Sequence, residues 1–347
     1  MDKGLVGLRN RGNTCYLNTS IQCLSNVELL KNYFTSDNYL LDLNNRYDKV
    51  KEKKLNEIFL SKEFAKLIKV LWLSTSRFID PKNFHELMQK MDERFIGFEE
   101  QDSQEALSFI LDSLHEGLKY NVKINYRGKI ENSLDKIMVE SIENWKSNFK
   151  DGYSIISELF FGQFLNKIIS LEKNNKNKTI SKKFEMFSIL SIPIYGNTLY
   201  ESMEKYFEKE KLESKYLDEK TNNYIDVYKH IRLIRIPKYL IIVLKRYINS
   251  NGFFIKSNGI ITFPIDDLDL SLYTEGYDKI KSNLRLISVG CHTGCLNGGH
   301  YYTICRHINN NWYKYDDEHV SEYSLNLKNN TIFKEGYILI YEKIDSK

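Results

Sequence analysis

Apolar residues recur at helical spacing near the N-terminus, directly after a turn rich in glycine and asparagine. Between Tyr16 and about Phe34 this spacing predicts a helix. The apolar positions that define it are Leu17, Ile21, Leu24, Val27 and Leu30. Thr14 stands immediately before and is a suitable N-cap residue. We therefore expect Cys15 to open the helix, where exposed backbone N–H groups and the positive end of the helix dipole favour a thiolate.

Helices are also predicted for most of the region between residues 55 and 120. Their apolar periodicity runs through "LNEIFLSKEFAKLIKVLWL", "DPKNFHELMQKM" and "DSQEALSFILDSLHEGLKY". From about residue 153 the pattern changes to β-branched and aromatic runs, which are typical of strands. These runs are "ISELFFGQFLNKIISLEK", "FEMFSILSIPI" and "IRLIRIPKYLIIVLKRY".

Strand signals continue towards the C-terminus through "GGHYYTICRH", "WYKYDD" and "YILIYEK". Within this β-rich part, "TLYESMEKYFEKEKLESKYL" has helical periodicity and "EKNNKNK" at 172–178 predicts a charged tip between strands. Helices first and strands later indicate an α+β fold, in which a helical half packs against a sheet.

The composition excludes several classes of protein. The chain has 347 residues and is 42% hydrophobic, enough to bury a sizeable core. Its formal net charge of +4 lacks the concentrated positive field of a dedicated nucleic-acid binder. The start of the chain has no apolar signal-peptide core, and the longest purely apolar run, "YLIIVL", is too short to cross a bilayer. We expect neither nucleic-acid binding, nor secretion, nor membrane insertion.

The five cysteines are odd in number and widely scattered, at Cys15, Cys23, Cys291, Cys295 and Cys305. This argues against a disulfide framework and for a reducing compartment, the cytosol or the nucleus. Cys291 and Cys295 lie close to His292, but one C-x3-C pair without a second pair is weak evidence for zinc. Free cysteine is among the most buried residue types, so Cys15 is either a core side chain or a nucleophile.

A cysteine nucleophile needs a base, a group that orients the base, and donors for the oxyanion. His300 follows two glycines in "NGGHYY", which let another chain pass close to the imidazole. The alternative is a hairpin turn with His300 as the first residue of a strand. Asp316 lies sixteen residues later, a distance that suits a strand, a turn and a returning strand. Such a hairpin would bring Asp316 beside His300, although for Asp316 taken alone a turn aspartate is the favoured interpretation.

Asn10 can offer its side-chain amide to the oxyanion if the glycine loop folds back over the helix start, with the Cys15 N–H as its companion. A turn asparagine is the alternative. In "EEQDSQEAL", Asp102 or Ser103 can cap the helix and Glu105 can complete a capping box. The competing interpretation is that Asp102 and Glu105 pair with arginine or backbone N–H groups of an extended peptide.

With Cys15, His300 and Asp316 in this order, the sequence resembles the ubiquitin-specific proteases, papain-like cysteine deubiquitinases of peptidase family C19, over nearly its whole length. "GLRNRGNTCYLNTSIQCL" resembles the cysteine box of that family, and "GGHYYTICRHINNNWYKYDDEHV" resembles its histidine box. "EEQDSQEAL" resembles the acidic-glutamine box, although Ala106 stands where a large aromatic residue or leucine is usual. "IPKYLIIVLKRY", the "FP" at 263–264 and "GYILIYEK" resemble strands of its palm.

The resemblance implies a papain-like α+β fold shaped like a hand, forming a single catalytic domain over residues 1–347. A helical thumb would span about 5–150, β fingers about 153–235 and a β palm about 236–345. The fingers would grip ubiquitin while its C-terminal tail runs between thumb and palm.

The resemblance also assigns roles by position. The implied catalytic set is the nucleophile Cys15, the general base and later acid His300, the orienting carboxylate Asp316 with Asp317 able to assist or replace it, and the oxyanion donor Asn10. Asp102 and Glu105 match residues that hold the ubiquitin tail. Gly299 and Tyr301 match the wall of the narrow channel for its glycines.

In the fingers, the chain departs from the family pattern. Relatives often carry two CxxC pairs that bind a structural zinc, whereas "IISLEKNN" and "YLDEKTNN" contain no cysteine. We therefore expect no metal and no cofactor, with finger tips held by strand pairing and apolar contacts alone.

The implied function is thiol-dependent hydrolysis of the isopeptide or peptide bond after the C-terminal glycine of ubiquitin. The implied partners are ubiquitin and ubiquitinated proteins, with the chain acting as a monomer. Two alternatives stay open: a catalytically silent ubiquitin-binding scaffold, and a protease for another ubiquitin-like modifier such as SUMO or NEDD8.

Overall fold

A computed structural model describes residues 3–47, 55–171, 178–250, 253–281, 283–295, 298–325 and 331–344. The helices in these ranges are α1 (Cys15–Ser25), α2 (Glu28–Thr35), α3 (Tyr39–Tyr47), α4 (Leu55–Leu73), α5 (Lys82–Met91), α6 (Ser103–Gly117), α7 (Ser133–Asn148), α8 (Ile155–Phe160), α9 (Leu199–Phe207) and α10 (Thr331–Glu335). None of them is long and apolar enough to span a bilayer.

The strands in the same ranges follow mostly after the helices. They are β1 (Gly7–Leu8), β2 (Phe78–Ile79), β3 (Gly162–Ser170), β4 (Thr179–Phe187), β5 (Ile189–Pro193), β6 (Glu210–Lys211), β7 (Tyr216–Asp218), β8 (Asn223–Ile225), β9 (Val227–Arg235), β10 (Tyr239–Lys245), β11 (Tyr247–Ser250), β12 (Phe253–Lys256), β13 (Leu268–Asp269), β14 (Asn283–Cys295), β15 (Gly298–Arg306), β16 (Trp312–Asp316), β17 (His319–Tyr323) and β18 (Gly336–Lys343).

Helix α1 lies at the centre of the molecule, between the helical half and the large sheet. All of its residues are buried, because it packs against α6 on one side and β14 and β15 on the other. Two of its buried polar side chains bond to main-chain carbonyls of other segments: Gln22 Nε2 donates to the Val6 carbonyl at 2.9 Å and the Ser20 hydroxyl to the Ser103 carbonyl at 3.0 Å. The first residue of α1 is thereby fixed against the strands of the sheet.

An eight-stranded sheet provides the other wall. Its strand order is β17-β16-β15-β14-β18-β10-β5, with β13 pairing with β14. One face packs on the helical half, and the other covers a second core that includes α9. Because both faces are covered, β10 is apolar at every position up to Leu244, which explains the uninterrupted run "YLIIVL".

A separate four-stranded sheet, in the order β4-β3-β9-β6, and the β7–β8 hairpin form the region for which fingers are predicted. β5 lies in the same predicted range but pairs in parallel with β10 of the large sheet. Most of the predicted charged tip, at 172–177, lies outside the described residues.

The helices predicted between residues 55 and 120 are confirmed as α4, α5 and α6, whereas the single helix predicted from Tyr16 to Phe34 is wrong. It is two helices, because Asn26 ends α1 and Val27 takes an extended conformation with φ −79° and ψ 108°. Val27 and Leu30 are both fully buried. The apolar pattern therefore continues across the break and hides it.

Two further boundaries differ from prediction. The start of the run predicted as strand, at residues 156–160, belongs to the short helix α8 instead, because Ser154 and Ser157 form a reciprocal capping box at its start. The helix predicted over "TLYESMEKYFEKEKLESKYL" ends at Phe207 and is followed by the short strands β6 and β7.

Candidate active site

The loop that precedes Cys15 is folded around the side chain of Asn10. Asn10 Oδ1 accepts hydrogen bonds from the Gly12 N–H at 3.0 Å and the Thr14 N–H at 3.2 Å. Gly12 and Asn13 adopt positive φ angles of 96° and 55°, a region that glycine and asparagine enter most readily. These residues set the direction from which the chain enters α1.

Cys15 is the first residue of α1, as predicted, and is 4% exposed. Thr14 occupies the N-cap position, but its hydroxyl makes no capping hydrogen bond, in contrast to the expectation. The Thr14 hydroxyl instead accepts a hydrogen bond from the Arg11 N–H at 2.8 Å. Because the N–H groups of a first helical turn have no intrahelical acceptor, the chain beside Cys15 presents backbone donors and the positive end of the helix dipole.

His300 lies on β15 and Asp316 at the end of β16, the adjacent strand. His300 Nε2 is 2.6 Å from Asp316 Oδ1. The Cys15 side chain also interacts with the imidazole and raises its pKa. Since an ionised carboxylate only accepts, Nε2 carries a hydrogen, and Nδ1 is the nitrogen left for the thiol. Three candidates from opposite ends of the chain thus form one connected row.

Each member of this row changes the proton affinity of its neighbour. The hydrogen bond to Asp316, and then the interaction with Cys15, raise the pKa of His300 to about 10. The hydrogen bond from His300 holds the pKa of Asp316 at about 2, and Lys314 acts in the same direction. His300 is therefore held as an imidazolium beside Cys15.

Asp317, in the turn after β16, ties the sheet to the segment around Cys15. Its Oδ2 accepts from Asn10 Nδ2 and its Oδ1 from Asn18 Nδ2, each at 2.8 Å. The Asp317 carbonyl accepts from the Leu8 N–H at 2.8 Å. A Cβ on Gly7 would lie 2.7 Å from that carbonyl oxygen, so only glycine lets β1 approach the turn this closely.

The roles assigned to Asn10 and Asp317 stay predictions. Asn10 gives one amide N–H to Asp317 and has a second N–H on the same nitrogen. Burial raises the pKa of Asp317. One carboxylate oxygen of Asp317 lies within 4.8 Å of ring and carboxylate atoms of His300 and Asp316.

Gly299 allows the ring of His292 to pack against the strand that carries His300. A Cβ on Gly299 would lie 2.1 Å from His292 Nε2, so no other residue fits without displacing the ring. His292 Nδ1 is 2.9 Å from the Tyr247 hydroxyl oxygen, and burial lowers the pKa of His292 to about 4. Tyr301 is 7% exposed and its ring centroid lies 4.3 Å from that of His292. Gly299 and Tyr301 thus enclose a neutral second histidine beside His300.

Comparison with known proteins decides the family. The family model described as ubiquitin carboxyl-terminal hydrolase matches residues 6–341. The chain belongs to the ubiquitin carboxyl-terminal hydrolase family. The resemblance carried by the cysteine and histidine boxes is confirmed.

Similar hydrolases of this family include Ubiquitin carboxyl-terminal hydrolase Usp2 of Drosophila melanogaster, 29% identical over 349 residues, which cover 98% of this chain and 35% of that protein. Ubiquitin carboxyl-terminal hydrolase 2 of Homo sapiens is 30% identical over 355 residues, covering 98% of this chain and 55% of that protein. Ubiquitin carboxyl-terminal hydrolase 21 of Homo sapiens is 28% identical over 374 residues, covering 99% and 62%. The chain therefore spans about a third to three fifths of the length of these relatives.

Solved structures share the fold. The SAGA DUB module Ubp8/Sgf11/Sus1/Sgf73 bound to ubiquitin aldehyde matches with a TM-score of 0.76 and 24% identity, covering 99% of this chain and 70% of the matched chain. The same module with a variant Ubp8, bound to monoubiquitin, matches with a TM-score of 0.75 and 22% identity, again covering 99% and 70%. The predicted papain-like α+β fold of the ubiquitin carboxyl-terminal hydrolases is confirmed.

Glu100 is a contact of the candidate site that the sequence assignment missed. Its Oε2 accepts a hydrogen bond from the Gly299 N–H at 3.0 Å, which joins the loop before α6 to β15. The acidic pair in "EEQD" is a signal for a functional carboxylate, but nothing along the chain indicates a partner 199 residues away.

Asp102 and Glu105, the predicted tail-binding pair, have different surroundings. Asp102 is the N-cap of α6, and its Oδ1 accepts from the Gln104 N–H at 2.6 Å and the Glu105 N–H at 3.3 Å. Asp102 Oδ2 accepts from the Tyr337 hydroxyl at 2.7 Å. The expected capping box is wrong, because Glu105 Oε2 lies 3.2 Å from Arg94 Nη1 instead. The Glu105 side chain is 51% exposed, so it is the more accessible of the two to a bound peptide.

Among the described residues, one group of side chains lies close enough together to hold a metal ion: His300, Asp316 and Asp317. Hydrogen bonds already account for that cluster. Cys291 is buried whereas Cys295 is exposed, so the C-x3-C pair is divided between two environments.

The β7–β8 hairpin corrects the expectation that apolar contacts and strand pairing alone hold the finger tips. Asp218 is 4% exposed and closes the hairpin with polar contacts. Its carboxylate accepts from the Lys220 N–H at 3.0 Å and the Thr221 hydroxyl at 3.1 Å, and its carbonyl accepts from the Asn222 N–H at 2.7 Å. A buried aspartate therefore stabilises this turn.

Proposed function

We propose that the chain is a thiol-dependent deubiquitinase that hydrolyses the isopeptide or peptide bond after the C-terminal glycine of ubiquitin. The observation that carries the proposal is the row formed by the Cys15 thiol, the His300 imidazole and the Asp316 carboxylate, with 2.6 Å between His300 Nε2 and Asp316 Oδ1. A cysteine, a base and an orienting carboxylate are the parts that acyl transfer to sulfur requires.

In the first half of the reaction, the Cys15 thiolate attacks the carbonyl carbon of the terminal glycine. The developing oxyanion is stabilised by the Cys15 backbone N–H at the start of α1 and by the second amide N–H of Asn10. His300 then gives its Nδ1 proton to the departing amine, and a thioester between ubiquitin and Cys15 remains. Asp316 keeps the imidazole aligned through both events.

In the second half, His300 has lost its proton and acts as a base. It activates a water molecule that attacks the thioester carbonyl, and Cys15 leaves as the thiolate. Ubiquitin is released with a free C-terminal carboxylate. Removing one oxyanion donor costs on the order of a hundredfold in comparable hydrolases.

Substrate selection rests on the residues around this row. We propose that Glu105 pairs with an arginine of the ubiquitin tail, because it is the exposed carboxylate at the start of α6. Asp102 supports it by capping α6. Gly299 and Tyr301 line the path of the terminal glycines. The matched DUB module has been solved with ubiquitin aldehyde, which supports ubiquitin as the substrate class.

The free cysteines indicate the cellular compartment in which we expect the protein to act. A reactive cysteine among unpaired thiols suits the reducing cytosol or nucleus. We propose that the chain acts as a monomer on ubiquitin and ubiquitinated proteins, without binding nucleic acid or membranes.

Hydrolysis of fluorogenic C-terminal amides of ubiquitin, SUMO and NEDD8 tests this function. We expect the ubiquitin derivative to be cleaved with a kcat/KM at least about tenfold above the other two, because the three share the chemistry and differ in their contacts with the protein. Cleavage of SUMO or NEDD8 alone would assign another modifier. Binding of ubiquitin without cleavage of any derivative would make the chain a scaffold.

A further inference from the structure

Lys314 lies two residues before Asp316 on β16 and contacts the same carboxylate as His300. Lys314 Nζ is 2.7 Å from Asp316 Oδ2, while His300 Nε2 is 2.6 Å from Asp316 Oδ1. Side chains two residues apart in a strand share a face, so β16 presents Lys314 and Asp316 on the same side. Each oxygen of the carboxylate therefore has its own positively charged partner.

Lys314 is itself held in place. Its Nζ lies 4.2 Å from the centroid of the Tyr302 ring, and the Tyr302 hydroxyl donates to Glu335 Oε2 at 2.5 Å. Its backbone is paired on both sides, with Ile304 of β15 and Ser321 of β17. The Lys314 side chain is 32% exposed, and its ammonium is directed along the aromatic ring towards Asp316. A lysine anchored this way differs from a freely solvated surface lysine.

We propose that Lys314 is a positioning residue of the active site, which holds Asp316 Oδ2 so that Oδ1 stays aligned with His300. The inference rests on the proposed hydrolase function. The torsion that rotates a carboxylate about its Cβ–Cγ bond has a broad energy minimum. With one partner the Asp316 carboxylate can turn away from the imidazole, whereas with two partners its plane is fixed.

Lys314 also opposes the charge of His300, because its ammonium shares the carboxylate that stabilises the imidazolium. It acts with His300 to keep the pKa of Asp316 at about 2. The other titratable groups that face this row are Cys15 of α1, Asp317 of the following turn and His292 of β14. Around the ammonium lie Tyr302 of β15, Glu335 of α10, Cys291 of β14 and Tyr323 of β17. Removing the lysine therefore strengthens the hold of Asp316 on the imidazolium proton while loosening its orientation.

Kinetics of Lys314→Met on the fluorogenic ubiquitin derivative test this inference. We expect kcat to fall about threefold to fivefold, the effect of one partly exposed ion pair, with KM unchanged. We expect the basic limb of the pH profile of kcat/KM to move to higher pH, because the variant has no Lys314 ammonium to oppose protonation of His300. Lys314→Arg should restore both quantities, because a guanidinium can also hold Asp316 Oδ2.

Lys238→Met is the matched control, since Lys238 pairs with Glu158 of α8 at 2.6 Å rather than with a site residue. It should leave kcat and the basic limb unchanged. If Lys314→Met turns over like the wild type, or loses kcat with an unmoved basic limb and a lower Tm, the inference is overturned while the hydrolase function stands. If the wild-type chain cleaves no derivative, the proposed function itself fails.

Discussion

Replacing Cys15 with alanine is expected to reduce hydrolysis of the ubiquitin derivative by more than about four orders of magnitude. The variant removes the only atom in the row that can form the thioester. Cys15 is 4% exposed at the start of α1, and alanine has a high helix propensity, so the fold should be retained. Ubiquitin binding should therefore persist, and it can be measured by calorimetry on the same preparation.

Cys295→Ala is the matched control for this change, because Cys295 is the exposed cysteine of the chain. It should turn over like the wild type. Retained turnover in a clean preparation of Cys15→Ala would refute the assignment of the nucleophile.

Replacing Asp316 with asparagine is expected to lower kcat by about a thousandfold or more. Asparagine can present its amide N–H to His300 Nε2, which favours the wrong tautomer of the imidazole. The hydrogen bond that His300 donates to Asp316 is the largest cause of the raised pKa of His300, about 10 in the wild type. The basic limb of the kcat/KM profile should therefore move to lower pH in this variant.

The ion pair between His300 and Asp316 should also make the stability of the folded protein depend on pH. Because the pKa of His300 is raised, its ion pair with Asp316 contributes fully to stability below the unfolded-state pKa of about 6.5. This contribution is lost as pH rises through about 10. Thermal unfolding of Asp316→Asn should therefore depend less on pH in this window than that of the wild type.

Asp266→Asn is a suitable control for the loss of an ion-paired aspartate, since Asp266 is 72% exposed and pairs with Arg306. It should leave kcat unchanged. If Asp316→Asn retains full activity and only the double change with Asp317→Asn removes it, the orienting role assigned to Asp316 alone is wrong.

The parts of the site that depend on local chemistry were predictable from the sequence. Cys15 opens α1 because a turn of small polar residues ends where the apolar periodicity begins. His300 and Asp316 are neighbours because their separation fits one hairpin of adjacent strands. Residue type and spacing carry this information along the chain.

The contacts that hold the helical half and the sheet together could not be predicted from the sequence. Asp317 binds Asn18 across 299 positions, and Asp102 binds Tyr337 across 235. Neither pair alters the local periodicity, so no pattern within one segment indicates its partner. For the same reason, the break at Asn26 was invisible, because buried apolar residues continue in phase on both sides of it.

The central claim is that the sulfur of Cys15 receives the ubiquitin carbonyl. It is tested by covalent trapping with ubiquitin that carries a C-terminal electrophile, followed by peptide mapping of the adduct. The expected result is one equivalent of ubiquitin attached to Cys15, formed rapidly at neutral pH and strongly slowed in His300→Ala. Attachment at Cys295, or an adduct on Cys15 that forms equally fast without the imidazole, would contradict it.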